Sequence, residues 1–189
     1  MSPRNGERTA YSALAAHYEA LNSEVDYDAM TDGIEAYFAR FGEGRKPSLV
    51  LDLACGTGAV TRRLWRRGYD MIGTDLSEDM LAAAEAGMGP GISSARRPLL
   101  LQQDMRELSL YGTVDAAVCC LDGMNYLVGA GDLRRTLQGV HLFLNPGGLF
   151  VFDLNSRWKF EQIYYGHDYM LEAEGVFCAW HNDYNPRTK

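Results

Sequence analysis

Leu49-Val50-Leu51-Asp52-Leu53-Ala54-Cys55-Gly56-Thr57-Gly58 is the stretch that decides how this chain folds. An apolar run holding one acid, two glycines one residue apart, and then Ala59-Val60-Thr61-Arg62-Arg63-Leu64 predict a buried parallel strand, a tight turn and a helix. Gly56 and Gly58 have no Cβ, so the backbone there can take unusual dihedrals and lie against a ligand, while the next helix offers unpaired N–H groups. Such a turn is a candidate nucleotide site. Taken alone it could also be a plain strand-to-helix turn with structural glycines.

Two kinds of nucleotide site carry glycines in this place. A dinucleotide turn runs Gly-x-Gly-x-x-Gly, but the third position here is Thr61 and the acid, Asp52, lies upstream of the glycines. A nicotinamide-dependent oxidoreductase is therefore the weaker alternative. The order acid-x-Gly-x-Gly, with Ala54 in the first glycine place, resembles motif I of the class I S-adenosylmethionine-dependent methyltransferases. S-adenosylmethionine has no pyrophosphate to seat on a helix N-terminus, but its α-amino group can be attracted by a carboxylate such as Asp52, directly or through water.

Later segments extend the pattern. Tyr69 to Asp75 reads as a second strand ending in an acid roughly 20 residues beyond the glycines. A carboxylate there can accept hydrogen bonds from both ribose hydroxyls. Ser77 is a candidate N-cap, with Glu78 and Asp79 in the first turn suited to the helix dipole, and Leu76 and Met80 can wall the adenine. Gly87 to Arg97 reads as an exposed loop, and Leu99 to Gln103 as a third strand ending at Asp104-Met105. The resemblance implies that Asp104 accepts from the adenine amino group while the Met105 N–H meets a ring nitrogen. Ligands of open α/β sheets bind at strand carboxyl ends, where these three acids fall.

Val114 to Cys120 is a fourth strand leading into Leu121-Asp122-Gly123-Met124-Asn125-Tyr126 at the mouth of the site. A helix with Leu133, Leu137, Val140 and Leu144 on one face follows, stopped by Asn145-Pro146-Gly147-Gly148. Leu149 to Asn155 then forms a fifth strand, apolar as a strand covered on both faces should be. From Leu51 to Asn155, the succession Asp-Leu-Ala-Cys-Gly-Thr-Gly, Asp-Leu-Ser-x-x-Met-Leu, Gln-Gln-Asp-Met-Arg-x-Leu, Asn-Tyr-Leu and Pro-Gly-Gly resembles the small bacterial class I methyltransferases. The expected fold is α/β, a doubly wound, mainly parallel Rossmann-like sheet in a single domain spanning 1–189. It has an N-terminal helical cap (1–46), a cofactor core (47–155), and a substrate-side helix and antiparallel hairpin (156–189).

In the cap, Tyr11, Leu14, Ala15, Tyr18 and Leu21 mark one helix and Met30, Ile34, Tyr37, Phe38 and Phe41 another, with Asp26 or Asp28 as cap. Packing accounts for most of these aromatics. The resemblance implies that Glu24-Val25-Asp26-Tyr27 closes over the cofactor. The expected cofactor set is thus Asp52, Ala54, Cys55, Gly56, Gly58, Asp75, Leu76, Met80, Asp104, Met105, Leu121 and Tyr27. On the acceptor side stand Tyr11, Tyr18, Asp122, Asn125 and Tyr126. The tail departs from the family, which continues with a strand, a helix and a strand beside the fifth strand. Here a helix near 157–164 and a hairpin turning at Gly175 follow instead, so the last sheet strands are expected to be absent and the fifth strand to be an edge, whose partner is further residues of a longer protein, the reading the resemblance favours, a second copy of the chain, or the Tyr169 to Tyr184 hairpin folded back.

The composition agrees with one ordinary domain: 189 residues, 47% hydrophobic and 23% charged. No apolar run is long enough to span a bilayer, and the first residues lack the apolar core of a signal peptide, so a cytoplasmic location without a membrane partner is expected. Cys55, Cys119, Cys120 and Cys178 form no Cys-x-x-Cys pair and are expected to be reduced and structural. Metal ligands at zinc spacing are absent. A net charge of −7 and a pI near 5.1 disfavour a nucleic-acid partner, and point to a small-molecule acceptor. An RNA-modifying enzyme, a non-catalytic S-adenosylmethionine-binding protein, and a homodimer stay open. Methyl transfer from a sulfonium is an in-line displacement, which needs donor and acceptor held close, aligned and dry. Asp122, His17, His167 and Tyr27 are the candidate bases; none is assigned.

Overall fold

The computed structural model describes residues 14–90, 97–173 and 175–183. Tyr11 and the end of the expected hairpin at Tyr184 lie outside the described residues, as does the middle of the loop expected over 87–97. In chain order the elements are α1 (Tyr18–Leu21), α2 (Tyr27–Phe41), β1 (Leu49–Leu53), α3 (Ala59–Arg66), β2 (Asp70–Asp75), α4 (Glu78–Gly87) and β3 (Leu99–Gln102). They continue as β4 (Val114–Cys119), α5 (Asp132–Phe143), β5 (Leu144–Phe152), β6 (Asp168–Ala173) and β7 (Val176–His181).

β1 to β5 form one parallel sheet in the order β3-β2-β1-β4-β5. β1 is central and is buried along nearly its whole length, as its unbroken apolar run requires. Alternate residues face opposite layers. Val50, Ala116 and Val118 join Ile34, Phe38, Val60 and Leu64 of α2 and α3, while Leu51, Leu53, Ala117 and Cys119 join Val140 of α5. Leu51 and Leu64 have no exposed surface, and truncating either to alanine should cost about 2–5 kcal/mol. The chain runs outward from β1 to β3 and then crosses back to β4 on the other side. That reversal opens a crevice beyond the carboxyl ends of β1 and β4.

Asp26 caps α2 by accepting from the Ala29 N–H at 2.8 Å, and Ser77 caps α4 by accepting from Met80 at 3.3 Å. The expected apolar face of α5 is buried only in part: Val140 is buried, but Leu133 and Leu137 are 43% and 39% exposed, and the stripe buried beside Val140 holds Asp132 and Thr136. Burying Asp132 is tolerable because the Gly129 N–H, Arg135 and Arg106 all donate to its carboxylate. β5 also departs from expectation. It starts at Leu144, so the Asn145-Pro146-Gly147-Gly148 stop belongs to the strand through an irregularity opposite Val114 and Ala116. Its residues are only half-buried, and Phe152 is 39% exposed, so it is not covered on both faces. Within the described residues β5 is one edge of the sheet and β3 the other. β6 and β7 form a separate antiparallel pair, reversing at Gly175 with φ +77°.

Candidate active site

The crevice is a cleft of about 320 Å³ into which the three nucleotide-type segments and the cap converge. Its floor is the glycine turn. Ala54, Gly56 and Gly58 all have positive φ (56°, 54° and 71°), and the Cys55 N–H donates to the Thr74 carbonyl at 2.9 Å, tying the turn to β2. A Cβ on Gly56 would meet nothing within 4 Å, so this backbone lies open to the cleft, whereas one on Gly58 would come within 3.0 Å of the Ala84 Cβ. Gly58 is therefore not part of the cleft wall; it starts α3 and lets α4 approach.

Asp75, at the end of β2, joins two turns. One carboxylate oxygen accepts from the Gly56 N–H at 2.8 Å and the other from the Ser77 N–H at 2.9 Å. Asp52, 2% exposed, lines the cleft and accepts from the Thr61 hydroxyl at 2.5 Å. Burial pushes its pKa up to about 7; the Thr61 hydrogen bond opposes this, and the nearby Asp75 charge adds to it. Thr61, which read only as a missing glycine, is thus the partner of the motif's acid. Burial, then the Asp52 charge, pushes the Cys55 and Cys120 thiols well above the usual range, so neither is a ready nucleophile.

Leu76, Met80 and Met105 supply apolar wall at the β2 and β3 end. Asp104 is placed there too, but Arg106, which the sequence did not single out, engages both its oxygens: Nε lies 2.9 and 3.0 Å away. That guanidinium holds the Asp104 carboxyl below its ordinary value. A contact from an adenine amino group would share an Asp104 oxygen with Arg106.

At the other end stand Leu121 and two cap tyrosines. Tyr27 is 7% exposed, and its buried hydroxyl has no hydrogen-bond partner among the described residues. Tyr18 lies within electrostatic reach of Tyr27, Asp122 and Asp75, and burial pushes its hydroxyl up to about 12. Leu121 and Asp122 are consecutive non-glycine residues with φ 57° and 69°, a combination that costs of order 1–3 kcal/mol each. Tyr126 lines the cleft, but Asp122 and Asn125 do not. Asn125 donates to Asp122 at 3.3 Å and accepts from the Asn155 N–H at 3.3 Å, bridging the ends of β4 and β5. Neither His17 nor His167 lines the cleft; the His167 ring nitrogen lies 3.1 Å from the Tyr165 carbonyl in the exposed tail.

The fold and cleft are those of a Rossmann-like methyltransferase, and comparison with known proteins agrees. The family profile described as "Methyltransferase domain" matches residues 50–148. YqeM of Bacillus subtilis (strain 168), which carries a methyltransferase name, is 36% identical over 171 residues, covering 90% of this chain and 65% of its own length. A glycine/sarcosine N-methyltransferase from Halorhodospira halochloris is 30% identical, over 80% of this chain and 57% of the relative. The crystal structure of an S-adenosylmethionine-dependent methyltransferase from Clostridium acetobutylicum ATCC 824 superposes with a TM-score of 0.77 at 31% identity, over 94% of this chain and 70% of that one. The chain thus spans about two thirds, or less, of the length of these curated relatives. It belongs to the class I S-adenosylmethionine-dependent methyltransferase family. Among the described residues no helix is long and apolar enough to cross a membrane.

Proposed function

We propose that this chain transfers a methyl group from S-adenosylmethionine to a small-molecule acceptor by in-line displacement, with S-adenosylhomocysteine as product. The observation that carries this is the convergence, in one cleft at the reversal of the sheet, of an open glycine backbone, the carboxylates of Asp52 and Asp75, and apolar walls. That set fits a ligand with an apolar ring at one end, a diol in the middle and an ammonium group at the other. Asp75 keeps lone pairs beyond the two N–H bonds it accepts, so it can take the ribose hydroxyls while it holds the turn. Asp52 offers its carboxylate to the amino group. Ala54, Cys55, Leu76, Met80, Met105, Leu121 and Tyr27 complete the wall, and Asp104 orients Arg106 beside it.

When bound, S-adenosylmethionine supplies an electrophilic methyl on a cationic sulfur. What the protein then has to do is orient, desolvate and, for a protonated acceptor, receive a proton. Tyr18 and Tyr27 close the cap side against water. The names of relatives such as the glycine/sarcosine N-methyltransferase support a small acceptor, and a net charge of −7 argues against RNA. Release of S-adenosylhomocysteine should be assayed across pools of small acids, amines, phenols and tRNA. Turnover confined to a small-molecule pool is expected. Turnover with tRNA alone, or binding of reduced nicotinamide in place of S-adenosylmethionine, would overturn the assignment.

A further inference from the structure

α1 places Tyr18 on the cleft wall, yet little in α1 itself holds it there. It is four residues long, lacks a side-chain N-cap and buries none of its residues, and a single helical turn is not stable on its own. The turn before it, Ala15–His17, rests on α4, and β6 lies beside it. Its charged anchor is the residue after Tyr18. Both oxygens of Glu19 accept from Arg62 Nη2 at 2.8 Å. Arg62 is 7% exposed, and its Nη1 donates at 2.7 Å to the carbonyl of Thr57, a cleft residue of the glycine turn. A Cβ on Gly87 would come within 2.5 Å of Nη1, so the guanidinium also lies against the last residue of α4, the helix whose Met80 walls the cleft. One buried cation therefore touches three of the elements that enclose the ligand.

The two ends of the Glu19–Arg62 pair differ. A buried guanidinium without partners is costly, and the Thr57 carbonyl keeps Arg62 in the core. Glu19 is half-exposed and can exchange Arg62 for water. Arg63 and Arg67 tie α2, not α1, to α3 through Asp28, Asp32 and Glu35. When the Glu19 contact breaks, α1 is released while α2 and the glycine turn stay in place. Methyl transfer needs a closed, dry site, whereas exchange of cofactor for product needs an open one. We propose that Arg62 is a positioning residue for the reaction: through Glu19 it holds Tyr18 over the cleft while the glycine turn is occupied, and the Glu19 end of the pair is the latch that opens for exchange. This rests on the methyltransferase assignment. A ligand seated on the open Gly56 backbone steadies the Thr57 carbonyl, and with it the orientation in which Arg62 meets both Glu19 oxygens. By reciprocity, a closed cap then raises affinity for the ligand.

Hydrogen-exchange mass spectrometry and stopped-flow dissociation of S-adenosylhomocysteine test this on the 189-residue chain. In the parent, S-adenosylhomocysteine should slow exchange over residues 14–26 as well as over the glycine turn. Two variants break the latch separately: Glu19→Gln, and Arg62→Lys, whose single ammonium lacks the planar fork that spans Thr57 and Glu19. Each should raise the off-rate about fivefold and cancel the protection of 14–26, while protection of the glycine turn and α2 persists. The double variant should be no faster than the faster single one, because both changes remove one contact. Arg67→Gln, which breaks only pairs to α2, should release the ligand as the parent does. An unchanged off-rate in Glu19→Gln, or a loss of protection that spreads to α2 and the sheet in both single variants, would overturn the latch. A parent that binds no S-adenosylhomocysteine would instead overturn the methyltransferase assignment, and the latch with it.

Discussion

Asp52 and Asp75 carry the site at the scale of single residues, and their environments differ. Asp52 is raised to about 7 by burial, so its neutral form favours the fold: that contribution is complete below the ordinary aspartate range and is lost as pH rises through about 7. Asp52→Asn is neutral at every pH and can still accept from Thr61. Its melting temperature relative to the parent should therefore increase between pH 5 and pH 8, while its affinity for S-adenosylmethionine falls because the amino group loses a charged partner. Melts that show no such widening would contradict the buried-charge reading. Asp75→Ala should weaken S-adenosylhomocysteine binding by about 1.5–3 kcal/mol in calorimetry, since the ribose contacts are charge-assisted. These two acids and Gly56 were legible in the sequence because strand ends and turns print directly on residue order. Thr61 was not, because its hydroxyl matters only once the first turn of α3 is wound beside the end of β1.

Between elements, the cap is held to the cofactor core by arginines along α3. Arg62, 7% exposed, donates to the Thr57 carbonyl of the glycine turn at 2.7 Å and to both Glu19 oxygens at 2.8 Å. Arg63 pairs with Asp28 at 2.9 Å, and Arg67 with Asp32 and Glu35 at 2.6 Å. The last two lie at the surface and should each be worth under about 1 kcal/mol. Arg62 is different, since a buried arginine losing its partner is costly; yet Glu19 keeps 41% of its side chain exposed, so Arg62→Met should destabilise by about 1–3 kcal/mol rather than by the full buried-pair figure. Thermal melts measure this, and protease cleavage within residues 14–26 should quicken in the same variant if Glu19 loosens with it. A charge run on a helix reads as a solvated face in sequence, so its pairing with the cap was not visible there. The same limit misled the reading of α5, where Leu133 and Leu137 face outward and the buried stripe runs through Asp132, Thr136 and Val140; the Asp132 carboxylate accepts from the nearby Gly129 N–H and Arg135 and from the sequence-distant Arg106.

For the whole molecule, the parallel strand-helix alternation, the crevice at the strand carboxyl ends, the edge position of the fifth strand and the hairpin at Gly175 were legible in the sequence, while the partial exposure of the faces of β5 was not, because the burial of a strand face depends on what packs over it. Phe152 and Leu154, at the end of the edge strand β5, are 39% and 54% exposed, and Phe177 and Trp180 of the hairpin are 62% and 49% exposed; such surface favours association. The 189-residue chain should show concentration-dependent light scattering; a monodisperse monomer at all concentrations would contradict this. The glycine turn, Asp52, Asp75 and the apolar walls of the cleft all lie within the described residues. Cofactor binding in that cleft is tested most directly by titrating S-adenosylhomocysteine into the folded chain in a calorimeter, with Asp75→Ala in parallel. Saturable one-to-one binding that weakens in the variant is predicted, and no heat from a protein that melts cooperatively would contradict it.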